Sequence, residues 1–419
     1  MLIKLIFEKF IQLGTLHVID PVGNIISFKK TASPECTIRL HNQAIIYKLL
    51  WNADLALGEG YTHGDITIEQ GTLSDLLNLC TQNDALQQEN QTWSIKDSLL
   101  SPINYLRQCN TRYFSRKNVS HHYDLNGEMY KLFLDSDMQY SCAYFSHLQE
   151  DLETAQKNKK RHLAAKLRLE PGQKILDIGC GWGGLALYLA QQEQVDVTGI
   201  TLSQEQWQVA TERAEKLGLS DRVHFKLIDY REEKERYDRI VSVGMFEHVG
   251  LPYYKQYFRK IYNLLEDEGI ALLSSIGRRQ TLHANRRTWI GKYIFPGGYC
   301  PALSEIIKPI ERSKLLITDI EVLRHHYVYT LQHWHARFQS HRETIKALYD
   351  EDFCRMWEYY LVGCEMAFQN LGYLIFQVQL IRSTSMSPLA RDYIFEWEQE
   401  NRLTSKPAIS QAILNDSNQ

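Results

Sequence analysis

Asp177-Ile178-Gly179-Cys180-Gly181-Trp182-Gly183-Gly184 follows the apolar run Lys174-Ile175-Leu176 and leads into Leu185-Ala186-Leu187. An acid, closely spaced glycines and then a helical pattern describe a strand end, a tight turn and a helix start. In α/β sheets that layout binds nucleotide-like ligands beyond the strand ends. Glycine permits positive φ and lets a ligand touch the main chain. The G-x-G-x-G spacing differs from the dinucleotide fingerprint, and the Gly-Lys-Ser/Thr of a phosphate loop is missing. An acid ahead of the glycines suits a ligand with a positive end, so S-adenosylmethionine fits better than a pyrophosphate. The competing reading is a plain connector in some other doubly wound domain.

The elements that must position this turn are legible around it. Strand patterns at 195–201, 223–228, 237–243 and 269–275 alternate with helical stretches, which predicts a doubly wound, mostly parallel α/β sheet. Asp177, Thr201, Asp229 and Glu247 each follow a strand and should collect along one sheet edge. The first 90 residues read as a smaller α+β module, with strands within 15–28 and 36–40 and a helix over 45–56. Leu57 to Ile66, holding Gly58, Gly60 and Gly64, reads as a turn-rich block without helical periodicity. The Gln- and Asn-rich stretch 81–94 resembles a connector. These patterns divide the chain into a module at 1–90, a linker at 91–120, a catalytic domain at 121–392 and a polar tail at 393–419, loose beyond Lys406.

With 419 residues and a net charge of -3, the composition lacks the basic excess of a nucleic-acid binder. The eight cysteines are scattered without a C-x-x-C pair, which predicts reduced thiols in a cytoplasmic protein and no metal site. No apolar run approaches the roughly 20 residues that span a bilayer. Lys4, Glu8 and Lys9 interrupt the apolar start too often for a signal peptide. Any membrane contact is therefore expected to be peripheral.

Tyr140-Ser141-Cys142-Ala143-Tyr144-Phe145, the glycine block, Gly199-Ile200-Thr201-Leu202-Ser203-Gln204-Glu205-Gln206, Met245-Phe246-Glu247-His248-Val249-Gly250 and Tyr293-Ile294-Phe295-Pro296-Gly297-Gly298 together carry a resemblance. From about 120 to about 382 the chain resembles the cyclopropane-fatty-acyl-phospholipid synthases and the related mycolic acid methyltransferases. The resemblance implies a class I, Rossmann-like S-adenosylmethionine-dependent methyltransferase domain. It also implies transfer of a methylene group to the double bond of an unsaturated acyl phospholipid, with the amino-terminal module helping to present the lipid. An alkene attacks the activated methyl group, a carbocation forms, and a base removes a proton as the ring closes. Such a site must shield a cation, which favours aromatic walls; Tyr140, Tyr144, Phe145, Phe246 and Tyr327 are candidates.

For the cofactor, Asp177, Gly179, Gly181, Trp182 and Gly183 should surround the methionine portion, and Thr201 and Gln206 the ribose. A capping box, Ser203-x-x-Gln206, would equally explain Gln206. Asp229 should accept from the adenine amino group, with Tyr230 stacking on the ring. By resemblance, Tyr140 and Ser141 close over the cofactor. The resemblance also implies that Glu247, with Cys142 and Tyr327, holds a bicarbonate ion that serves as the base, and that Cys364 lies near the site without being required. One departure stands out. The family has histidine after the leucines of the fifth strand, whereas here Leu272-Leu273 is followed by Ser274-Ser275-Ile276-Gly277. Ser274 can hydrogen-bond an anion but cannot act as imidazole does. Ring closure is the step this puts in question.

Two basic stretches bear on partners. Lys157, Lys159, Lys160, Arg161, Lys166 and Arg168 are read either as a solvated helix face or as a docking face. Arg278, Arg279, Arg286, Arg287 and Lys292 interleave with Trp289, Ile290, Tyr293, Ile294 and Phe295, a mixture expected to dock on anionic lipid. The expected partners are a phospholipid membrane surface and its unsaturated acyl chains, with no nucleic acid and a homodimer left open. Two alternatives stay beside the synthase reading: a fatty-acyl methyltransferase making methyl-branched or methylene chains, and a non-catalytic lipid-binding protein with a decayed methyltransferase domain.

Overall fold

The computed structural model describes residues 2–90, 127–280 and 288–403. Helix α1 (Leu2–Phe10) precedes strands β1 (Thr15–Ile19), β2 (Ile25–Lys29) and β3 (Glu35–Leu40), helices α2 (Gln43–Trp51) and α3 (Ala53–Thr62), strand β4 (Ile66–Gln70) and helix α4 (Leu73–Asn90). The strands pair in the order β2-β1-β3-β4, with β1 and β3 parallel. Alternate residues Leu16, Val18, Ile38 and Leu40 are buried against Ile45, Leu49 and Leu76, so one face of this small sheet is covered by its own helices.

Two expectations change in this module. The helix expected over 45–56 is two helices, because Asn52 has extended backbone, ends α2 and caps α3 by accepting from the Leu55 N–H at 3.3 Å. Of the block expected to be turns, residues 57–62 form the second half of α3 and only 63–65 turn before β4. The α3 glycines serve close packing: a Cβ on Gly58 would lie 2.3 Å from the Trp289 ring, and one on Gly60 would lie 2.7 Å from Ile66. The stretch expected to be a connector from 81 begins as part of α4; residues 91–126, including the whole of the expected linker at 91–120, lie outside the described residues.

The larger sheet contains β5 (Lys174–Ile178), β6 (Asp196–Thr201), β7 (Val223–Leu227), β8 (Tyr237–Val243), β9 (Leu265–Arg278), β10 (Leu316–Leu323) and β11 (Tyr373–Ile381), in the order β10-β11-β9-β8-β5-β6-β7. Strands β7, β6, β5, β8 and β9 run parallel, and β11 enters antiparallel between β9 and β10. The order reverses between β5 and β8, which opens a crevice at their carboxyl ends. Helices α5 (Gly127–Phe133), α6 (Leu152–Leu167), α7 (Gly184–Gln192), α8 (Gln204–Lys216), α9 (Tyr254–Leu264), α10 (Trp289–Tyr293) and α11 (Leu303–Glu311) accompany it. Helices α12 (His326–Ser340), α13 (Arg342–Leu348) and α14 (Glu351–Asn370) lie between β10 and β11 in sequence. Helix α14 joins the two parts: Tyr61 donates to Glu358 at 3.1 Å, His63 pairs with Asp352, and the Asn370 amide reaches Asn78 and Thr81.

The basic stretches lie elsewhere than expected. On α6, Lys159, Lys160, Arg161 and Lys166 are buried. Lys160 pairs with Asp137, Lys166 with Asp319 and Glu321, and Arg161 with Asn158, so this helix presents neither a solvated nor a docking face with these residues. In the second stretch Trp289 and Ile294 are buried, Lys292 pairs with Glu59 at 2.6 Å, and the Trp289 N–H donates to Asp54. That segment binds the amino-terminal module; Arg286 and Arg287 lie outside the described residues. The stretch read as a polar tail begins as helix α15 (Asp392–Leu403), which buries Ile394 and meets α6 through a Glu398–His162 contact of 2.8 Å. Residues 404–419 lie outside the description.

Candidate active site

A cavity opens at the carboxyl edge of β5, β6 and β8, where the strand order reverses. Its floor is the glycine turn. Gly179 has φ +84° and donates its N–H to the Ile200 carbonyl at 2.9 Å; a Cβ there would lie 2.7 Å from Met245. Gly183 caps α7. Of the residues expected at the cofactor, Tyr140, Ser141, Asp177, Gly179, Gly181, Trp182, Thr201, Gln206, Asp229 and Tyr230 all line this one cavity, and Gly183 does not.

The polar lining has a definite arrangement. Asp177 is buried, its Oδ2 has no hydrogen-bond partner, and burial pushes its carboxyl up to about 7. A buried, unmatched carboxylate oxygen facing a cavity calls for a cationic group from a ligand. Thr201 donates to the Gln206 side chain at 2.8 Å and the Ser203 hydroxyl accepts from the Gln206 N–H, so the helix cap is present while Gln206 also lines the cavity. Asp229 departs from expectation. Both its oxygens accept from Arg231, at 2.7 Å from Nε and 2.6 Å from Nη2, so an adenine amino group would have to share them.

Sequence reasoning missed two cavity residues of note. Lys159, read as part of a basic surface, is buried in the cavity wall, where Nζ donates to Gln139 and to the Ser141 hydroxyl at 2.9 Å. Burial holds its ammonium down to about 8, offset in part by Asp135 and Asp137. The only available signal was its place on the helix after the Tyr-Ser-Cys-Ala-Tyr block, one turn beyond Gln156. His248 also lines the cavity, and burial pulls its imidazole down to about 4.

The residues expected to do the chemistry lie beside this cavity. Tyr140 is the shared wall: it lines the cavity, its hydroxyl meets that of Tyr360 at 2.8 Å, and its ring packs on Trp334 and Tyr130. Cys142, Tyr327 and Cys364 border the same aromatic core. Tyr327 packs edge-on against Trp334 and beside Phe368. Burial pushes the Cys142 thiol up to about 12 and the Cys364 thiol higher still, so both are neutral.

Glu247, in a 3₁₀ turn after β8, is buried. Its Oε1 accepts from the Ile276 N–H at 2.6 Å, while Oε2 has no partner of normal geometry, with the Ser275 hydroxyl close by. Burial pushes this carboxyl up to about 7. Ser274 is not at a strand end, since β9 continues to Arg278; it is level with Val243, where parallel pairing with β8 stops. Across the β9–β11 pair it faces Gln377, whose buried Oε1 has no partner. Three aromatic candidates do not line the cofactor cavity, although Tyr144 and Phe145 belong to the same aromatic core as Cys142 and Tyr327. Phe246 stacks on Tyr254 in a separate core, Tyr144 is sandwiched between His162 and His326, and Phe145 stacks on His333.

A seven-stranded sheet in this order, with a glycine-turn cavity at the switch point, defines a class I S-adenosylmethionine-dependent methyltransferase. The chain belongs to the mycolic acid cyclopropane synthetase family, whose model matches residues 110–378. A second family model, described as a domain of unknown function, matches residues 17–92. The chain is similar to the cyclopropane-fatty-acyl-phospholipid synthase of Escherichia coli, at 36% identity over 84% of this chain and 89% of that one. It is also similar to a probable fatty acid methyltransferase of Pseudomonas putida, at 35% identity over 81% and 85%. Among solved structures, mycolic acid cyclopropane synthase CmaA1 complexed with SAH and CTAB superposes with a TM-score of 0.60 at 31% identity, covering 63% of this chain and 97% of that one.

Proposed function

We propose that this protein transfers a methylene group from S-adenosylmethionine to the double bond of unsaturated acyl chains in membrane phospholipids, working from the cytoplasm at the membrane surface. The observation that carries the reading is Tyr140, one side chain shared by the cofactor cavity and the aromatic core that holds Cys142, Tyr327 and Cys364. No described helix is long and apolar enough to cross a membrane.

The buried Asp177 oxygen suits the ammonium of the cofactor's methionine end, and Lys159 suits its carboxylate. When bound, S-adenosylmethionine supplies an activated methyl group. The rings of Tyr140 and Tyr327 exclude water and offer π faces to the cation left on the acyl chain after the methyl carbon bonds to it. Glu247 is tuned near neutrality by burial. With Cys142 and Tyr327 it would hold a bicarbonate ion, which when bound would supply the base for the proton lost from the transferred methyl group at ring closure. In the protonated form Glu247 donates to such an anion through Oε2 and avoids like-charge repulsion. Ser274 and Gln377 stand where the family's imidazole would, so the alternative of methyl-branched or methylene product rests on that pair.

The test is expression in a bacterial host lacking its own synthase, followed by mass spectrometry and proton NMR of the fatty acids. Chains heavier by one CH2, with upfield cyclopropyl protons, are expected. Heavier chains without the ring signals would favour the branched-chain alternative. An unaltered lipid profile from a protein that binds the cofactor would overturn both.

A further inference from the structure

The stretch holding Cys142 and the stretch holding Tyr327 each have an outer side. The Ala143 N–H donates to Thr330 and the Phe145 N–H to His326 Nδ1, both at 3.0 Å, which fastens the two stretches together. On the outside they form a second, open cavity, lined by Arg324, His325 and His147 with Phe145, Leu148 and Tyr329. Arg324, His325 and His147 are exposed, and among the described residues Arg324 and His325 form no ion pair. Leu148 is 65% exposed. Strand β10 runs into Arg324 at the edge of the sheet, and its alternation turns Ile320 and Val322, 40% and 44% exposed, away from the face that buries Asp319 and Leu323. Exposed apolar side chains thus flank Arg324 and His325, which form no ion pair among the described residues, while His147 lies 3.6 Å from Glu150. The cavity begins three residues from Cys142 and one from Tyr327, within about 10 Å of extended chain.

We propose that this cavity receives the phosphate of an anionic phospholipid at the membrane surface, with Leu148, Ile320 and Val322 entering the interface around it. The inference rests on the phospholipid reading above. Charge and hydrogen bonding select the occupant: the Arg324 guanidinium, with the His325 ring beside it as a hydrogen-bonding group, suits a phosphodiester, and apolar neighbours suit the acyl boundary below it. A head group held here would place its acyl chain against the segment that separates this cavity from Cys142.

The test is co-sedimentation of the full chain with vesicles of equal parts phosphatidylglycerol and phosphatidylcholine, and with phosphatidylcholine alone, at low salt. Arg324→Glu combined with His325→Glu should lower partition onto the mixed vesicles on the order of 100-fold, since loss of the arginine charge costs about ten-fold or less and two new carboxylates add repulsion from the anionic surface. Arg324→Lys should retain most binding, and Leu148→Asp should weaken binding to both compositions. The double variant should also raise the KM for vesicle lipid with kcat and S-adenosylmethionine affinity unchanged. Displacement of the parent by millimolar inorganic phosphate at constant ionic strength would instead mark a site for free phosphate and overturn the proposal. So would parent-like sedimentation of the double variant, or loss only on substituting Trp51, which is 93% exposed on the amino-terminal module. A parent that neither sediments nor converts phospholipid would fail the functional reading; a parent that does both, matched by its variants, fails this site alone.

Discussion

Lys159→Met isolates one end of the cofactor. Methionine keeps the length of the stem and removes the ammonium, leaving the methionine carboxylate of S-adenosylmethionine without its proposed partner in a buried wall. Breaking a buried charge pair costs about 3–5 kcal/mol. The lower end applies here, because burial already holds Lys159 down to about 8, and the free enzyme is relieved of that cost when the lysine is removed. About 3 kcal/mol corresponds to a loss of roughly 100-fold in Kd. Calorimetric titration with S-adenosylmethionine and with its decarboxylated analogue forms the cycle. The parent should distinguish the two by that factor, and the variant should bind them about equally. The sign with pH also follows. The charged form that binds the carboxylate is lost as pH rises through about 8, and pairing raises the pKa in the complex, so parent affinity should fall above pH 8 with proton uptake on binding. A variant that binds the full cofactor within three-fold of the parent, or loses both ligands equally, would refute the assignment of Lys159.

Glu247→Leu should keep cofactor affinity and lose on the order of 100-fold in product formation, because it removes both the donor to the anion and the acceptor of the Ile276 N–H; retained turnover would remove Glu247 from the chemistry. Glu247→Gln copies the donor and acceptor of the protonated carboxyl and should keep most activity. The same substitution should stabilise the fold. The buried carboxyl has a raised pKa, so the penalty for ionising it is absent below about pH 4.5, grows through 7 and reaches about 3 kcal/mol above that, visible as a higher Tm only at neutral and alkaline pH. Gly179→Val should abolish cofactor binding, since a branched side chain at φ +84° would strike Met245; near-normal affinity would make the turn a mere connector. Ser274→His should raise cyclopropane yield or lower the bicarbonate requirement, and an unchanged bicarbonate response would mean that the Ser274–Gln377 pair already does the work of imidazole.

The five parallel strands and the cofactor cavity could be read from sequence because each strand is a short apolar run ending at a polar residue on one edge. What could not be read shares a cause: burial where composition suggests solvent. Strand β10 was hidden because Asp319 and Glu321, which look solvated, face the buried Lys166 and His162. Helix α6 looked like a charged surface for the same reason, and Lys159 was lost with it. Strand β11, an almost unbroken apolar run, was legible and went unread. The chemistry-bearing residues beyond the cavity were carried by resemblance, which ranked Tyr144, Phe145 and Phe246 with Tyr140 although only contact geometry separates them.

The missing side chain at Gly58 has a consequence for inheritance. The indole of Trp289 occupies the space where any other residue would begin, and Asp54 and Glu59 grip the same short helix. The seam therefore behaves as a matched fitting: the part that carries residue 58 and the part that carries residue 289 have to travel together. A hybrid made by joining the first 90 residues to the catalytic domain of a relative should fail wherever a bulkier residue replaces glycine there, however well each half folds alone. Divergence across this seam is then constrained in pairs, and its tolerated changes should be double ones, with a smaller ring at 289 admitting alanine at 58.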